Sequence, residues 1–315
     1  MTPDAETAGL LRLMAEAEYP PIWTLPAAEA RKIHDPLTAA SAHPAESVAE
    51  TREVEIAAGL EARLYRPEGA AANGAPLLLY FHGGGGAIGD LDSHDAVCRT
   101  LANASGAVTL AVDYRLGPEH PFPAAWEDAW TAWAWALENA AGLGADPARI
   151  AVAGDSAGGG LAAALAQGAA AGRGPAPVFQ LLIYPALDAS RDPERYPSVA
   201  ENAEGYFLTR DLMAWFGAQY VAPGQDPGDV RLSPGLAEGL SGLPPALIVT
   251  AGLDPLRDEA AAYAEALERA GVAVEYRCYE QTIHGFASFG RFLSFTAPAI
   301  REWGEAVRAA AAGGD

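Results

Sequence analysis

Short apolar runs alternate with longer stretches of helical composition along most of the chain, and this alternation constrains the fold more than any other feature. The runs have the length and residue types of buried strands. We predict strands at 54–66 (an early strand pair), 77–81, 108–112, 150–153, 178–184, 246–251 and 272–279. We predict helices at 93–104, 123–137, 161–171, 259–270 and 292–312. This order predicts a mostly parallel sheet covered by helices on both faces.

Two segments depart from the alternation. Residues 1–50 are helical and punctuated by prolines before any strand begins, and residues 188–240 separate two strands by far more than the usual short connection. Long insertions at the end of a sheet often form lids, and such sheets bind ligands at the carboxyl ends of their strands. We therefore expect a single α/β unit over 1–315, with cap segments 1–50 and 188–240 and a core of 51–187 and 241–315.

Length and charge narrow the class of protein. A chain of 315 residues, half of them hydrophobic, can bury the core of one large α/β domain. The 41 acidic against 20 basic residues give a net charge of −21, which repels nucleic-acid phosphates and anionic membrane surfaces. We expect neither a nucleic-acid partner nor a membrane partner.

The N-terminus and the cysteines bear on the compartment. Residues 1–6 carry no positive charge ahead of an apolar stretch, and no segment approaches the roughly 18 uninterrupted apolar residues of a membrane helix. Cys98 and Cys278 are the only cysteines, too few for a disulfide framework and without the spacing of metal ligands. We expect a cytoplasmic protein with two core thiols and no metal site.

Residues 154–158 read Gly-Asp-Ser-Ala-Gly and place Ser156 at a sharp junction. The motif follows a predicted strand and opens an alanine-rich helix, which is the setting of a nucleophile elbow. The flanking Gly154 and Gly158 would let strand and helix pass closely on either side of a strained serine. A glycine-rich helix start with a capping serine is the alternative interpretation.

Only one histidine follows Ser156 along the chain. In proteins with such an elbow the triad occurs in the order serine, acid, histidine, which leaves His284 of the six histidines. A solvated loop histidine is the alternative there. Asp254 directly follows a predicted strand, so it can orient the imidazole from a neighbouring strand end. Asp188, one strand earlier, is its rival, whereas Asp258 falls at the start of a helix, where capping is its expected role.

The glycine-rich loop after His82 has two interpretations. Gly84, Gly86 and Gly89 match a dinucleotide-binding fingerprint. The next helix, however, begins among aspartates, and negative charge there opposes a bound pyrophosphate. We favour the second interpretation, in which the loop presents backbone N–H groups, together with that of Ala157, to the oxyanion of a tetrahedral intermediate.

Motifs over nearly the whole chain resemble one family, the bacterial hormone-sensitive-lipase-like (family IV) esterases of the branch with a Gly-Asp-Ser-Ala-Gly elbow. The motifs are His82-Gly83-Gly84-Gly85, Asp113-Tyr114-Arg115-Leu116 with 118–123, the elbow, Tyr184-Pro185, 201–206, Asp254-Pro255-Leu256 with Asp258-Glu259, and His284-Gly285-Phe286. The resemblance implies an α/β-hydrolase fold with an eight-stranded, mostly parallel sheet and a helical cap. It also implies hydrolysis of short- to medium-chain carboxylic esters through an acyl-enzyme, without a cofactor.

The same resemblance implies the residues of the site. Ser156, Asp254 and His284 correspond to the catalytic triad, and Gly84, Gly85 and Ala157 correspond to the oxyanion donors. A homodimer through the edge strand near 272–279 is also implied.

Two glycines depart from the family pattern. Gly86 stands where tryptophan or phenylalanine is frequent, and Gly117 stands where alanine is usual. We expect Gly86 to leave a wider pocket beside the oxyanion loop. Phe207, Leu208 and Ile283 are further candidates for the pocket walls, with core packing as their alternative role.

Two other functions stay open at this point. An amide hydrolase would use the same triad. A non-catalytic ligand-binding protein on this fold, like the plant gibberellin receptors, would lack the catalytic histidine, whereas His284 is present here.

Overall fold

The computed structural model describes residues 1–312, so positions 313–315 of the predicted core lie outside the described residues. The strands are β1 Glu50–Ala57, β2 Leu60–Arg66, β3 Ala75–Phe81, β4 Val108–Asp113, β5 Ala145–Asp155, β6 Gln180–Ile183, β7 Ala246–Leu253 and β8 Val274–Ile283. The α-helices are α1 Ala5–Glu16, α2 Ala27–Ser41, α3 Asp95–Ser105, α4 Ala124–Asn139, α5 Ala157–Gly168, α6 Ser198–Glu201, α7 Arg210–Tyr220, α8 Arg257–Arg269 and α9 Thr296–Ala311.

The eight strands form one sheet in the order β1-β2-β4-β3-β5-β6-β7-β8. The pairs β1–β2 and β2–β4 are antiparallel, and every later pair is parallel. The prediction of a mostly parallel, eight-stranded sheet flanked by helices is therefore confirmed. Parallel strands aligned in this way bring the loops after β3, β5, β7 and β8 to one edge of the sheet.

Both faces of the sheet are buried, which explains why the central strands are apolar along their whole length. Along β3, alternate side chains point to opposite faces. Leu77, Leu79 and Phe81 face the side that α4, α5 and α8 cover, whereas Leu78 and Tyr80 face the side that α3 and α9 cover. The sheet thus forms the middle of three layers and gives the site a rigid base.

A smaller apolar cluster joins the N-terminal segment to α7. Ile22 and Ala30 belong to this cluster together with Leu212 and Trp215. The indole Nε1 of Trp215 also donates a hydrogen bond to the carbonyl oxygen of Leu25 at 3.0 Å. Segments from both predicted cap regions therefore pack against each other.

The first helix lies apart from that cluster. The amide of Asp4 donates to the carbonyl of Gln281 in β8 at 3.2 Å, and Leu10 packs in the core layer that contains α3 and α9. Within residues 1–50, α1 thus packs on the core and α2 packs towards α7.

Membrane-spanning helices, metal-binding clusters and the state of the cysteines can be assessed over the described residues. None of the helices within 1–312 is both long enough and apolar enough to cross a membrane. The same residues contain no cluster of three or more histidine, cysteine, aspartate or glutamate side chains that could hold a metal ion. Cys98 is buried and Cys278 is partly buried, and both are free thiols.

Candidate active site

Ser156 occupies the junction between β5 and α5 in a backbone conformation that serine seldom adopts. Its φ is 53° and its ψ is −119°, which L-residues reach only when their surroundings hold them there. The Ser156 amide donates to the carbonyl of Ile183 at 2.9 Å, and its carbonyl accepts the amide of Ala186 at 2.9 Å. The side chain makes no capping hydrogen bond to α5 among the described residues, so the capping alternative is wrong.

The glycines beside Ser156 are required by close backbone packing. A Cβ atom at Gly154 would overlap the carbonyl oxygen of Gly158, and a Cβ at Gly158 would overlap the carbonyl oxygen of Phe81 in β3. These contacts let α5 begin directly above the sheet, with Ser156 raised at the carboxyl end of β5.

His284 and Asp254 complete a hydrogen-bonded chain that starts at Ser156. The Oγ of Ser156 lies 2.9 Å from Nε2 of His284, and Nδ1 of His284 lies 2.7 Å from Oδ2 of Asp254. Both partners are at most 5 % exposed. The pairing of Leu253 with Ile283 at the ends of β7 and β8 sets the two residues side by side. Asp254 also accepts the amide of Leu256 at 2.8 Å, which fixes its carboxylate.

The two other acids considered from the sequence have different partners. Asp188 is buried, and its carboxylate accepts hydrogen bonds from the Ser190 amide and from Arg195 and Tyr196. Asp258 lies in the first turn of α8 and accepts the amide of Ser198 at 2.7 Å. Neither carboxylate hydrogen-bonds to the imidazole, so the geometry favours Asp254.

In the glycine loop after β3, three successive residues have an unusual backbone conformation. Gly84, Gly85 and Gly86 all have positive φ, at 115°, 62° and 70°. Within residues 1–312, the amides of Gly84, Gly85 and Ala157 donate no hydrogen bond to a protein acceptor. Gly85 and Ala157 border the same cavity as Ser156. Free N–H donors beside a nucleophile agree with the oxyanion interpretation of this loop.

Asp155 supports this loop from below. Its Oδ1 accepts the amide of Gly83 at 2.8 Å and the hydroxyl of Tyr80 at 2.7 Å, and it lies 3.4 Å from Nε2 of His94. Burial by itself raises the pKa of Asp155, but the charge of His94 and the hydrogen bonds from His94 and Tyr80 together outweigh burial and lower that pKa. Burial likewise lowers the pKa of His94, but the charge and hydrogen bond of Asp155, together with Asp90, outweigh burial and raise that pKa. The two side chains therefore meet in a buried contact in which each stabilises the charged form of the other.

No role of Asp155 or His94 follows from the sequence alone. A carboxylate at the end of an apolar strand, inside a glycine-rich motif, was the signal that could have revealed the first. His82 is also buried, and burial together with His94 lowers its pKa to about 4. The neutral imidazole of His82 donates from Nδ1 to the carbonyl of Gly83 at 2.7 Å, so this ring holds the start of the loop as well.

A cavity of about 130 Å³ opens beside Ser156. One wall comes from the predicted cap segment 188–240, through side chains that include Leu208, Met213, Phe216 and Tyr220. A larger and more open groove of about 510 Å³ runs along α1, but it shares no residue with the cavity at Ser156.

Of the four pocket residues predicted from the sequence, only Leu208 lines this cavity. Phe207 instead packs edge-on against Phe289 with ring centroids 5.1 Å apart, and its role in the pocket stays a prediction. The prediction is wrong for Ile283, which is fully buried in the core. Gly86 does not leave a wider pocket, because the ring of Tyr220 covers the space beside it.

A serine hydroxyl is a weak nucleophile at neutral pH unless a neighbouring base removes its proton, and a held imidazole is such a base. The fold and the contacts of Ser156 with His284 therefore define a serine hydrolase with a nucleophile elbow.

Comparison with known proteins narrows this class. Residues 78–288 match the model of a family described as having the alpha/beta hydrolase fold. The chain belongs to this family, and its relatives confirm the hormone-sensitive-lipase-like esterase group that the motifs indicated.

Among those relatives is the carboxylic ester hydrolase LipN of Mycobacterium tuberculosis, 46% identical over 79% of this chain and 67% of the relative. An ethyl acetate hydrolase of Pseudomonas putida is 46% identical over 74% of this chain and 73% of the relative. Among solved structures, an ester-hydrolase from the metagenome of Lake Arreo has a TM-score of 0.94 at 44% identity, covering 98% of this chain and 99% of the other. An esterase of Pyrobaculum calidifontis has a TM-score of 0.91 at 38% identity, covering 99% and 100%.

Proposed function

We propose that the protein is a carboxylesterase that hydrolyses short- to medium-chain carboxylic esters through a Ser156–His284–Asp254 triad. The observation that carries the proposal is the unbroken chain of hydrogen bonds from the Ser156 hydroxyl through His284 to the buried Asp254. The relatives named as ester hydrolases support the reaction type.

In the first half of the reaction, Ser156 Oγ attacks the ester carbonyl carbon while its proton passes to His284 Nε2. Asp254 accepts the Nδ1–H bond, which fixes the tautomer and stabilises the imidazolium. The carbonyl oxygen becomes an oxyanion, and the free amides of Gly84, Gly85 and Ala157 stabilise it. His284 then returns the proton to the leaving alkoxide, so that an alcohol departs and an acyl-enzyme remains.

In the second half, a water molecule attacks the acyl carbon as His284 takes its proton. The same amides stabilise the second oxyanion. The carboxylic acid leaves when the proton returns to Ser156 Oγ, which restores the resting hydroxyl. The cycle needs only water as co-substrate, and no step calls on a cofactor.

The size of the cavity supports small esters as substrates. Its volume of about 130 Å³ lies well below the roughly 300–1,000 Å³ of pockets for drug-sized ligands. Apolar side chains such as Leu208 and Met213 suit an unbranched alkyl chain, and the lining also includes the charged residues Asp188, Arg191 and Arg231.

Hydrolysis of p-nitrophenyl butyrate by wild type and by Ser156→Ala tests the proposal. We expect kcat of the variant to be about 10⁴-fold or more below that of wild type, because the nucleophile is lost while the fold is kept. Matched anilides measured beside the esters test the amide-hydrolase alternative. Undiminished turnover by Ser156→Ala, or binding of esters by wild type without turnover, would contradict the proposal.

The cap, the assembly and the compartment belong to the same proposal. The cap is formed from within residues 1–50 and 188–240, over a catalytic core of 51–187 and 241–315. Two copies associate through β8, which has a sheet neighbour on one side only among the described strands. The protein acts in the cytoplasm, in keeping with its two free thiols. Size-exclusion chromatography with light scattering tests the dimer, and cell fractionation tests the location.

A further inference from the structure

The last turn of α7 is seated unusually close to the glycine loop. A Cβ atom at Gly86 would lie 2.7 Å from Cδ2 of Tyr220, closer than real Cβ atoms approach other atoms. A Cβ at Gly85 would overlap the ring of Phe216 in the same helix. The aromatic rings of α7 therefore occupy the space that side chains of the loop would otherwise fill.

The second unusual glycine meets the same turn of α7. A Cβ at Gly117 would overlap the carbonyl oxygen of Gln219 and lie 3.1 Å from Cα of Tyr220. The Gly117 amide donates to the carbonyl of Gly86 at 2.8 Å. The two positions that depart from the family pattern thus lie side by side beneath one end of one cap helix.

Hydrogen bonds anchor the loop segments that face Tyr220 as well as the backbone of Tyr220 itself. Its carbonyl accepts the amide of Phe122 at 2.8 Å. On the other side, Arg31 of α2 donates to the carbonyls of Ala87 at 2.8 Å and Gly117 at 2.6 Å. Because these contacts hold the backbone, the size of the side chain at 220 sets how much room remains beside the loop.

The ring of Tyr220 acts through its shape. It packs edge-on against Phe122 with centroids 6.2 Å apart, and it borders the cavity that Ser156 and Gly85 also line. Its hydroxyl makes no hydrogen bond among the described residues. Removing the hydroxyl should therefore leave the wall intact, whereas removing the ring should open it.

We propose that Tyr220 is the chain-length-determining residue of this enzyme: its ring, delivered by the cap, takes the place of an aromatic side chain at position 86 and closes the cavity to long alkyl chains. The inference rests on the proposed esterase function and deepens it by naming short-chain esters as the preferred class. The restricted chain is either the acyl chain or the alkyl chain of the alcohol, and two substrate series distinguish them.

The first experiment compares Tyr220→Ala with its matched control Tyr220→Phe. One series varies the acyl chain of p-nitrophenyl esters from acetate to decanoate, and the other varies the alcohol of butyrate esters from ethyl to octyl. In one of the series we expect Tyr220→Ala to raise kcat/KM for the eight-carbon relative to the four-carbon chain about tenfold. Tyr220→Phe should keep the wild-type profile.

The second experiment measures the coupling between positions 86 and 220. Gly86→Ala introduces a Cβ at φ 70°, and this backbone strain is the same in any background. The overlap with the ring exists only when Tyr220 is present. We therefore expect Gly86→Ala to lower the melting temperature more in wild type than in Tyr220→Ala.

The outcomes separate this inference from the proposed function. If Tyr220→Ala keeps the wild-type profile in both series, or if the two substitutions are additive, the inference is overturned while Ser156-dependent hydrolysis stands. If hydrolysis does not depend on Ser156, the proposed esterase function is itself overturned. Should Tyr220→Ala fail to fold, Tyr220→Leu tests the same wall with a smaller loss of packing and an intermediate expected shift.

Discussion

The Asp155 carboxylate accepts the Gly83 amide at 2.8 Å while standing directly before Ser156 in the chain. One side chain thereby links the nucleophile elbow to the start of the oxyanion loop. Because the two segments come from different strands, their relative position depends on this contact and on the buried contact of Asp155 with His94.

Asp155→Asn should lower kcat about 10- to 100-fold and leave KM nearly unchanged. An amide can still accept from Gly83, but it cannot neutralise His94, so the loop shifts and the oxyanion donors lose alignment. Steady-state kinetics on p-nitrophenyl butyrate measures kcat and KM separately. Glu265→Gln, on the exposed surface of α8, serves as the control. An unchanged kcat with a raised KM would contradict a positioning role.

Asp254→Asn should reduce kcat by about 10³- to 10⁴-fold with the fold retained. An asparagine presents the wrong hydrogen-bonding groups to His284 Nδ1, which leaves the imidazole in an unproductive tautomer. Asp258→Asn is the matched control, because that carboxylate bonds to Ser198 and Arg257 instead. If Asp188→Asn proved as damaging as Asp254→Asn with no loss of stability, the assignment of the acid would be wrong.

Asp35 makes stability depend on pH. It lies in α2, accepts the amide of Gly89 at 2.9 Å, and burial raises its pKa to about 6, with a further contribution from Asp90. A carboxyl whose pKa is raised by folding stabilises the protein at low pH, and that contribution is lost as pH rises through about 6.

Asp35→Asn should therefore gain stability relative to wild type between pH 4 and pH 7. The amide keeps an acceptor for Gly89 but does not ionise. We expect a relative gain on the order of 1 kcal/mol, after allowance for partial hydration of the carboxylate. Denaturant unfolding of both proteins across this range measures it. A difference between the two proteins that stays constant with pH would contradict the prediction.

Alanine substitution of two glycines should have opposite effects on stability. Gly158→Ala should destabilise the protein by several kcal/mol, because its Cβ would overlap the backbone of Phe81. Gly9→Ala, inside α1 with no atom within 4 Å of the new Cβ, should stabilise it by about 0.5–1 kcal/mol. Thermal unfolding measures both. Equal changes in the two variants would show that the contacts at the elbow are less tight than described.

The sequence predicted the sheet and the triad because both depend on local signals and chain order. It misplaced the start of α5, predicted at 161 and found at Ala157. Glycines have low helix propensity, but a Cβ at Gly159 or Gly160 would crowd Pro185 or Ala186, so close packing requires glycine in this turn of the helix. Packing between distant segments overrode the local preference.

The pocket could not be predicted for a related reason. Phe207 and Leu208 are neighbours in the chain, yet only Leu208 faces the cavity, and their orientation depends on how residues 188–240 pack on the rest of the protein. The strand before His284 also runs to Ile283, beyond the predicted end at 279. The place of Tyr220 in the pocket could not be predicted because its partner Gly86 is more than a hundred positions away in the chain.

Because α7 contacts Gly86 and Gly117, the order in which substitutions occur at positions 86 and 220 affects whether each is tolerated. An aromatic residue introduced at position 86 would overlap the ring of Tyr220, so we expect it to be tolerated only after position 220 has become small. The same change is acceptable afterwards, so its fitness effect depends on history. Libraries that vary 86 and 220 together will reach substrate ranges that successive single substitutions do not.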